Sequence, residues 1–253
     1  MAKDTSWEKS SKWYNVHMKE LGGYNHRELV LPNLLNLLKL KKNDRLLDLG
    51  CGQGFLARAI DPKTSYLGLD SSKSLIANAK DMDSNPSHRY KVHDVTSLIA
   101  TKETFTHAVF VLSLQNISKA DLALKAASKV LEKGAQLVIV LNHPCFRIPK
   151  HSSWGFLDNH EGQYRRLDRY YSSFKSTLQT HPSKGSKSPT TLSFHRPLSE
   201  YIKYLKQAGF YLDDMREICS NKKSYGKAAK AENFARKEFP LFLMLSAIKK
   251  NSL

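Results

Sequence analysis

Leu46-Leu47-Asp48-Leu49-Gly50-Cys51-Gly52-Gln53-Gly54 is the stretch on which the reading of this 253-residue chain turns. Arg45 to Leu49 reads as a short apolar strand. Three glycines within five positions follow, letting the backbone turn sharply and a ligand approach without interference from a Cβ. Phe55-Leu56-Ala57-Arg58-Ala59-Ile60 reads as the opening of a helix, whose first N–H groups have no partner inside the helix. Strand, glycine turn and helix together make a cradle for a ligand at the carboxyl end of a strand.

The next carboxylates test what that ligand is. Asp70 ends a second strand, Ser65 to Asp70, 20 residues after Gly50. An acid there reaches the ribose hydroxyls of an adenosine. Asp94 ends a third short strand in His93-Asp94-Val95, placed to meet the adenine amino group, with the Val95 N–H beside it. The glycines alone leave two cofactors open. The dinucleotide fingerprint G-x-G-x-x-G finds Phe55 at its third position when counted from Gly50, but Ala57 when counted from Gly52, which fits a loose G-x-G-x-x-A.

Asp48 to Gly54 resembles the D-x-G-C-G-x-G pattern of class I S-adenosyl-L-methionine (SAM) methyltransferases almost residue for residue, and the resemblance spans residues 28 to 141. It implies SAM bound at the carboxyl ends of the first four strands. Asp48 belongs to the motif; Gly50, Cys51 and Gly52 would line the methionine and ribose side. Asp70, with Ser71 beside it, would hold the ribose. Asp94 and Val95 would meet adenine, and Ser113, in Leu112-Ser113-Leu114-Gln115, would pass under the methionine moiety. The Cys51 position needs only a small residue; nothing there marks a nucleophile. Phe194 to Ile202, Ala208-Gly209-Phe210 and Glu238 to Leu243 look like the late helix and last two strands of small-molecule methyltransferases, nearest the group that includes quinone-biosynthesis enzymes.

Working outward, strand and helix signals alternate: a helix over 72–81, strands over 90–94 and 106–112, a helix over 119–132, and a strand over 136–141. That pitch implies a doubly wound parallel sheet. The expected fold is α/β, a Rossmann-like seven-stranded, mostly parallel sheet with an antiparallel last strand, plus an inserted cap. One domain covers 1–253: an N-terminal helical cap at 1–40, the SAM-binding half at 41–142, an inserted substrate cap or lid at 143–192, and a C-terminal helix with strands six and seven at 193–253. The insertion, with its low-complexity Ser183 to Pro189, is too long for a bare connection and is expected to be a mobile lid.

The acceptor should sit over the same sheet edge. Tyr24 and His26 from the N-terminal cap, Asn142 after strand five, and Tyr164 and Tyr171 from the insertion are the expected acceptor contacts. His143 is the candidate general base, since imidazole titrates near neutrality. Methyltransferases of adenine and glutamine amino groups resemble one another in an Asn-Pro-Pro or Asp-Pro-Pro turn after strand four; here Asn142-His143-Pro144 follows strand five, and the likeness therefore implies a different acceptor.

The net charge is +17, and residues 145–253 hold 20 basic side chains against 9 acidic ones. Such a field attracts nucleic acid or another anion. An RNA or protein methyltransferase using the basic C-terminal half is therefore the alternative to a small-molecule enzyme; a SAM-binding protein without catalysis is a third reading. Cys51, Cys145 and Cys219 are widely spaced and odd in number, which points to reduced thiols in a cytoplasm, not to a disulfide framework or a metal site. No apolar run reaches the length of a membrane-spanning helix.

Overall fold

The computed structural model describes residues 7–18, 22–157, 162–180 and 188–250. Its strands are β1 (Arg45–Leu49), β2 (Ser65–Asp70), β3 (His88–Val92), β4 (Phe105–Val111), β5 (Leu131–Asn142), β6 (Ser152–Phe156), β7 (Gln163–Leu167), β8 (Phe174–Gln179), β9 (Thr190–His195), β10 (Phe210–Ile218) and β11 (Phe242–Lys249). The helices are α1 (Ser11–Met18), α2 (Leu31–Leu38), α3 (Lys73–Met82), α4 (Ala120–Val130), α5 (Leu198–Gln207) and α6 (Ala229–Glu238).

Seven strands form one sheet in the order β10-β11-β5-β4-β1-β2-β3. The pairs among β1 to β5 are parallel, whereas β11 runs antiparallel to both neighbours. The central strands are buried on both faces, so they read as continuous apolar runs, as parallel strands do. Leu47, Leu49, Phe110 and Ile139 face α4 and α5. Leu46, Val109, Val138 and Met244 face α2 and α3. Ala120, Ala123 and Ala127 give α4 a flat face that lies close on the sheet. Lys249 donates to the carbonyls of Ser128 and Leu131, placing a cation at the negative end of α4 and tying β11 to it.

Several expectations are corrected. No α-helix opens after Gly54; a run of turns ends in one 3-10 turn, Ala57–Ala59. Pro62 bars the helical conformation at Asp61, leaving too few residues for a helix to nucleate. β3 lies two residues earlier than expected, so Asp94 stands in the loop beyond it. β5 begins at Leu131 and passes a register shift before Gln136, with Gly134 at φ +75°. The insertion is two antiparallel hairpins, β6–β7 and β8–β9, and the second runs on to His195. The basic stretch after Asn221 contains α6. Residues 183–187 of the low-complexity stretch lie outside the described residues.

Candidate cofactor and acceptor site

The carboxyl ends of β1, β2, β4 and β5 open into a cavity of about 1180 Å³. That exceeds the usual range for one small ligand, about 300–1,000 Å³, and suits a cofactor with an acceptor beside it. Gly50, Gly52, Asp70, Ser71, Asp94, Val95 and Ser113 line it, as do Tyr24, His26 and Asn142.

The glycine turn is built for close approach. Gly50, Gly52 and Gly54 all have positive φ, at +79°, +56° and +74°. A Cβ on Gly50 would stand 2.5 Å from Cβ of Ser113. The Gly50 and Cys51 N–H groups both donate to the Leu69 carbonyl, at 2.7 and 3.0 Å, fixing the turn to β2. Asp70 then clamps it: Oδ2 accepts from Gly52 N at 3.0 Å and Oδ1 from Ser72 N at 2.8 Å. Each oxygen keeps a lone pair that can accept from a ribose hydroxyl. Burial raises the Asp70 pKa, against the backbone N–H groups that lower it. Asp94 Oδ1 is taken by Thr96 N and Oγ1, and Oδ2 accepts from no described residue. The chain leaves β4 through Leu112 at φ +55°, an uncommon conformation for leucine. It thereby brings Ser113 under the turn, where Ser113 Oγ donates to the Leu49 carbonyl at 2.6 Å.

The N-terminal segment roofs this end. Trp7, Trp13 and Tyr14 line the cavity. The Tyr14 hydroxyl stands 3.3 Å from where a Cβ of Gly52 would be, and burial, then Asp70, holds its phenol protonated. Glu8 fastens the roof to the start of α3. It accepts from Ser72 Oγ at 2.6 Å and Ser74 N at 3.2 Å, and from the Ser74 hydroxyl. These bonds hold its pKa below the usual carboxylate value. Three aromatics within eight residues, 7–14, were the sequence signal for this roof.

Other motif residues stand elsewhere. Asp48 is buried under the turn, away from the cavity lining, where Oδ2 accepts from the Tyr66 hydroxyl at 2.7 Å and Oδ1 has no partner. Burial raises its pKa from 3.8 to about 7. The folded chain therefore holds a proton there that the unfolded chain releases above pH 3.8, so stability from this group falls as pH rises from about 4 to about 7. Asp48→Asn should remove that slope. Between pH 5 and pH 8 the wild-type melting midpoint should fall by about 5 °C more than the variant's; parallel curves would show that Asp48 does not titrate there. Cys51 is also buried behind the turn, and burial pushes its thiol up, which is no setting for a nucleophile.

The expectations for acceptor chemistry fare unevenly. The Tyr24 hydroxyl donates to Asn221 Oδ1 at 3.0 Å, with Lys222 Nζ 4.5 Å above its ring. His26 packs edge-on against Phe55 at 5.3 Å. His143 does not line the cavity. Its side chain is 2% exposed; Nδ1 accepts from Cys145 N at 3.2 Å and Nε2 faces Glu217 Oε1 at 2.8 Å. Burial lowers its pKa. A neutral ring with both nitrogens engaged braces the turn after β5 and leaves no nitrogen for an acceptor proton. Tyr164 lies over Gly155 across the β6–β7 hairpin, and Tyr171 is 83% exposed; neither reaches the cavity. The insertion contributes Leu178 and Arg147 instead, and Lys222 and Phe242 join them.

Residues 47–139 match a family described as a methyltransferase domain. Over those residues the chain is similar to methyltransferase domains. A demethylmenaquinone methyltransferase of Chlamydia muridarum is 31% identical to it over 116 residues, 44% of this chain and 51% of that protein. The chain spans 32% and 51% of the length of the two curated relatives it matches. An S-adenosylmethionine-dependent methyltransferase from Mesorhizobium loti superposes with a TM-score of 0.66 at 22% identity, over 86% of this chain and 96% of that one. A Haloferax volcanii methyltransferase solved with the Trm112 activator gives 0.63 at 14% identity, over 98% and 96%. These likenesses carry the fold of the methyltransferase domain. No helix among its described residues is long and apolar enough to cross a membrane.

Proposed function

We propose that the chain transfers a methyl group from SAM to a small-molecule acceptor in the cytoplasm. The observation that carries this reading is the glycine turn clamped by Asp70, opening into a cavity large enough for two ligands. Gly50, Gly52 and Ser113 would bed the methionine side, Asp70 and Ser71 the ribose, and Asp94 with Val95 the adenine. The cofactor supplies a methyl group on a positively charged sulfur. The chain supplies alignment: the β4 and β5 ends set the acceptor in line with that methyl, and holding two reactants in register supplies much of such a rate. Trp7, Trp13 and Tyr14 exclude water from the same space. No general base is required of His143.

Calorimetry should give one S-adenosylhomocysteine bound per chain and far weaker binding of NAD. Tighter NAD binding would overturn the cofactor assignment. The net charge of +17 supports a second reading, a macromolecular acceptor held by the basic surface. A gel shift with bulk RNA that fades steeply with salt would favour that reading; no shift at low salt favours the first.

A further inference from the structure

Seven of the eleven arginines are paired with a carboxylate among the described residues. Arg147 is not, although it is more buried than most of them. It stands in the turn after β5, in the wall between the main cavity and a side cavity of about 230 Å³ framed by Phe146, Trp154 and Phe239. Its guanidinium lies 5.4 Å above the Phe242 ring and makes one hydrogen bond, from Nη1 to Asn142 Oδ1 at 2.7 Å. Five N–H donors are available on that group, so four have no acceptor among the described residues, and the residue lines both cavities. Arg165 lines the side cavity too, stacked 4.9 Å over Trp154, and it also lacks a carboxylate partner among the described residues. Burial and the neighbouring Arg165 both pull the Arg147 pKa down, the sign of a cation without a counter-charge.

Leaving a half-buried cation unpaired costs free energy. It is repaid only where something else brings the negative charge. We propose that the acceptor carries an anionic group, a carboxylate or a phosphate, and that Arg147 binds it. The planar guanidinium suits either group, which it can grip with two parallel hydrogen bonds. The layout of charge agrees. The acids of the cavity, Asp70 and Asp94, lie at the β2–β3 end, and Arg147 lies at the β5–β11 end. Three strand spacings separate β2 from β5, about 14 Å. An adenosine held at one end and an anion held at the other leave the transferring methyl between them. This inference rests on the SAM-dependent reading only for the word acceptor; the anion site stands or falls by itself.

Phenyl phosphate, benzoate and neutral phenol, each titrated into the full chain with and without S-adenosylhomocysteine and followed by saturation-transfer NMR, test it. At least one of the two anions should bind about tenfold or more tightly than phenol, and the better of the two names the group. Arg147→Met should erase the difference. Asn142→Asp should do the same without altering shape, because it sets a carboxylate at the atom that already accepts from Arg147; it carries the test if the methionine variant does not fold. S-adenosylhomocysteine affinity should stay within about twofold in both. Anions binding no better than phenol, or binding equally well to both variants, would overturn the proposal. So would a loss of S-adenosylhomocysteine affinity with anion binding unchanged, since Arg147 would then serve the cofactor. A chain that binds no S-adenosylhomocysteine yet keeps an Arg147-dependent anion site would sink the methyltransferase reading and leave this one intact.

Discussion

Gly50→Ala is expected to reduce S-adenosylhomocysteine affinity by about 100-fold or more and to destabilise the fold by about 2–5 kcal/mol. Two costs add. At φ +79° an alanine pays for a left-handed backbone, about 1–2 kcal/mol. Its methyl would also meet Cβ of Ser113 at 2.5 Å and Oγ at 2.9 Å. Ser113 cannot turn aside freely, since its hydroxyl is bonded to the Leu49 carbonyl. The turn must shift, and the Gly50 and Cys51 N–H groups that fix it to β2 shift with it. Gly134→Ala is the control. It has φ +75° but nothing within 4 Å of a new methyl, so it carries the backbone cost alone and lies away from the cavity. Equal losses of stability in the two variants would mean that the close approach at Gly50 is not there.

Asp70→Ala should weaken S-adenosylhomocysteine binding by about 10- to 150-fold, the worth of hydrogen bonds to a charged group, about 1.5–3 kcal/mol. The loss has two sources in the structure. The ribose loses its acceptors, and Gly52 and Ser72 lose the carboxylate that holds their N–H groups at one spacing. Folding should suffer less, because Asp70 ends β2 at the cavity edge instead of packing among the buried apolar residues. Calorimetry and thermal melting on one preparation separate the two effects. Wild-type affinity in the variant would show that the ribose lies elsewhere.

Much of this was legible in the sequence because both faces of the central sheet are apolar. Leu46 to Leu49, Thr106 to Val111 and Leu137 to Leu141 announce themselves as buried strands. The cofactor end was legible for a different reason: glycines at positive φ and an acid at a strand end are local demands, met within a few residues. The acceptor end was not. The buried face of the β8–β9 hairpin is built from Ser176, Thr191, Ser193 and His195, so no apolar alternation marks it, and the insertion reads as irregular. Arg147 was visible only as one arginine among several. What sets it apart is the absence of a carboxylate nearby, a fact of tertiary packing. His143 shows the converse. It stands in the turn after β5, but its two ring nitrogens are spent on Cys145 and Glu217, and sequence spacing carries no information on that.

The bond from Ser72 to Glu8 has a kinetic meaning. Ser72 offers its N–H to Asp70, which clamps the glycine turn, and its hydroxyl to the N-terminal roof, and the same hydroxyl oxygen caps α3 by accepting from Leu75 N. Clamp and roof therefore share one residue. On the proposed reading, a nucleoside bound beneath Trp7 and Tyr14 would lie under a segment that the Glu8 bonds fasten, and Glu8→Gln would be expected to shorten its residence time. With the Glu8 pKa held low, the fastening outlasts moderate acid and loosens only where that carboxylate takes up a proton.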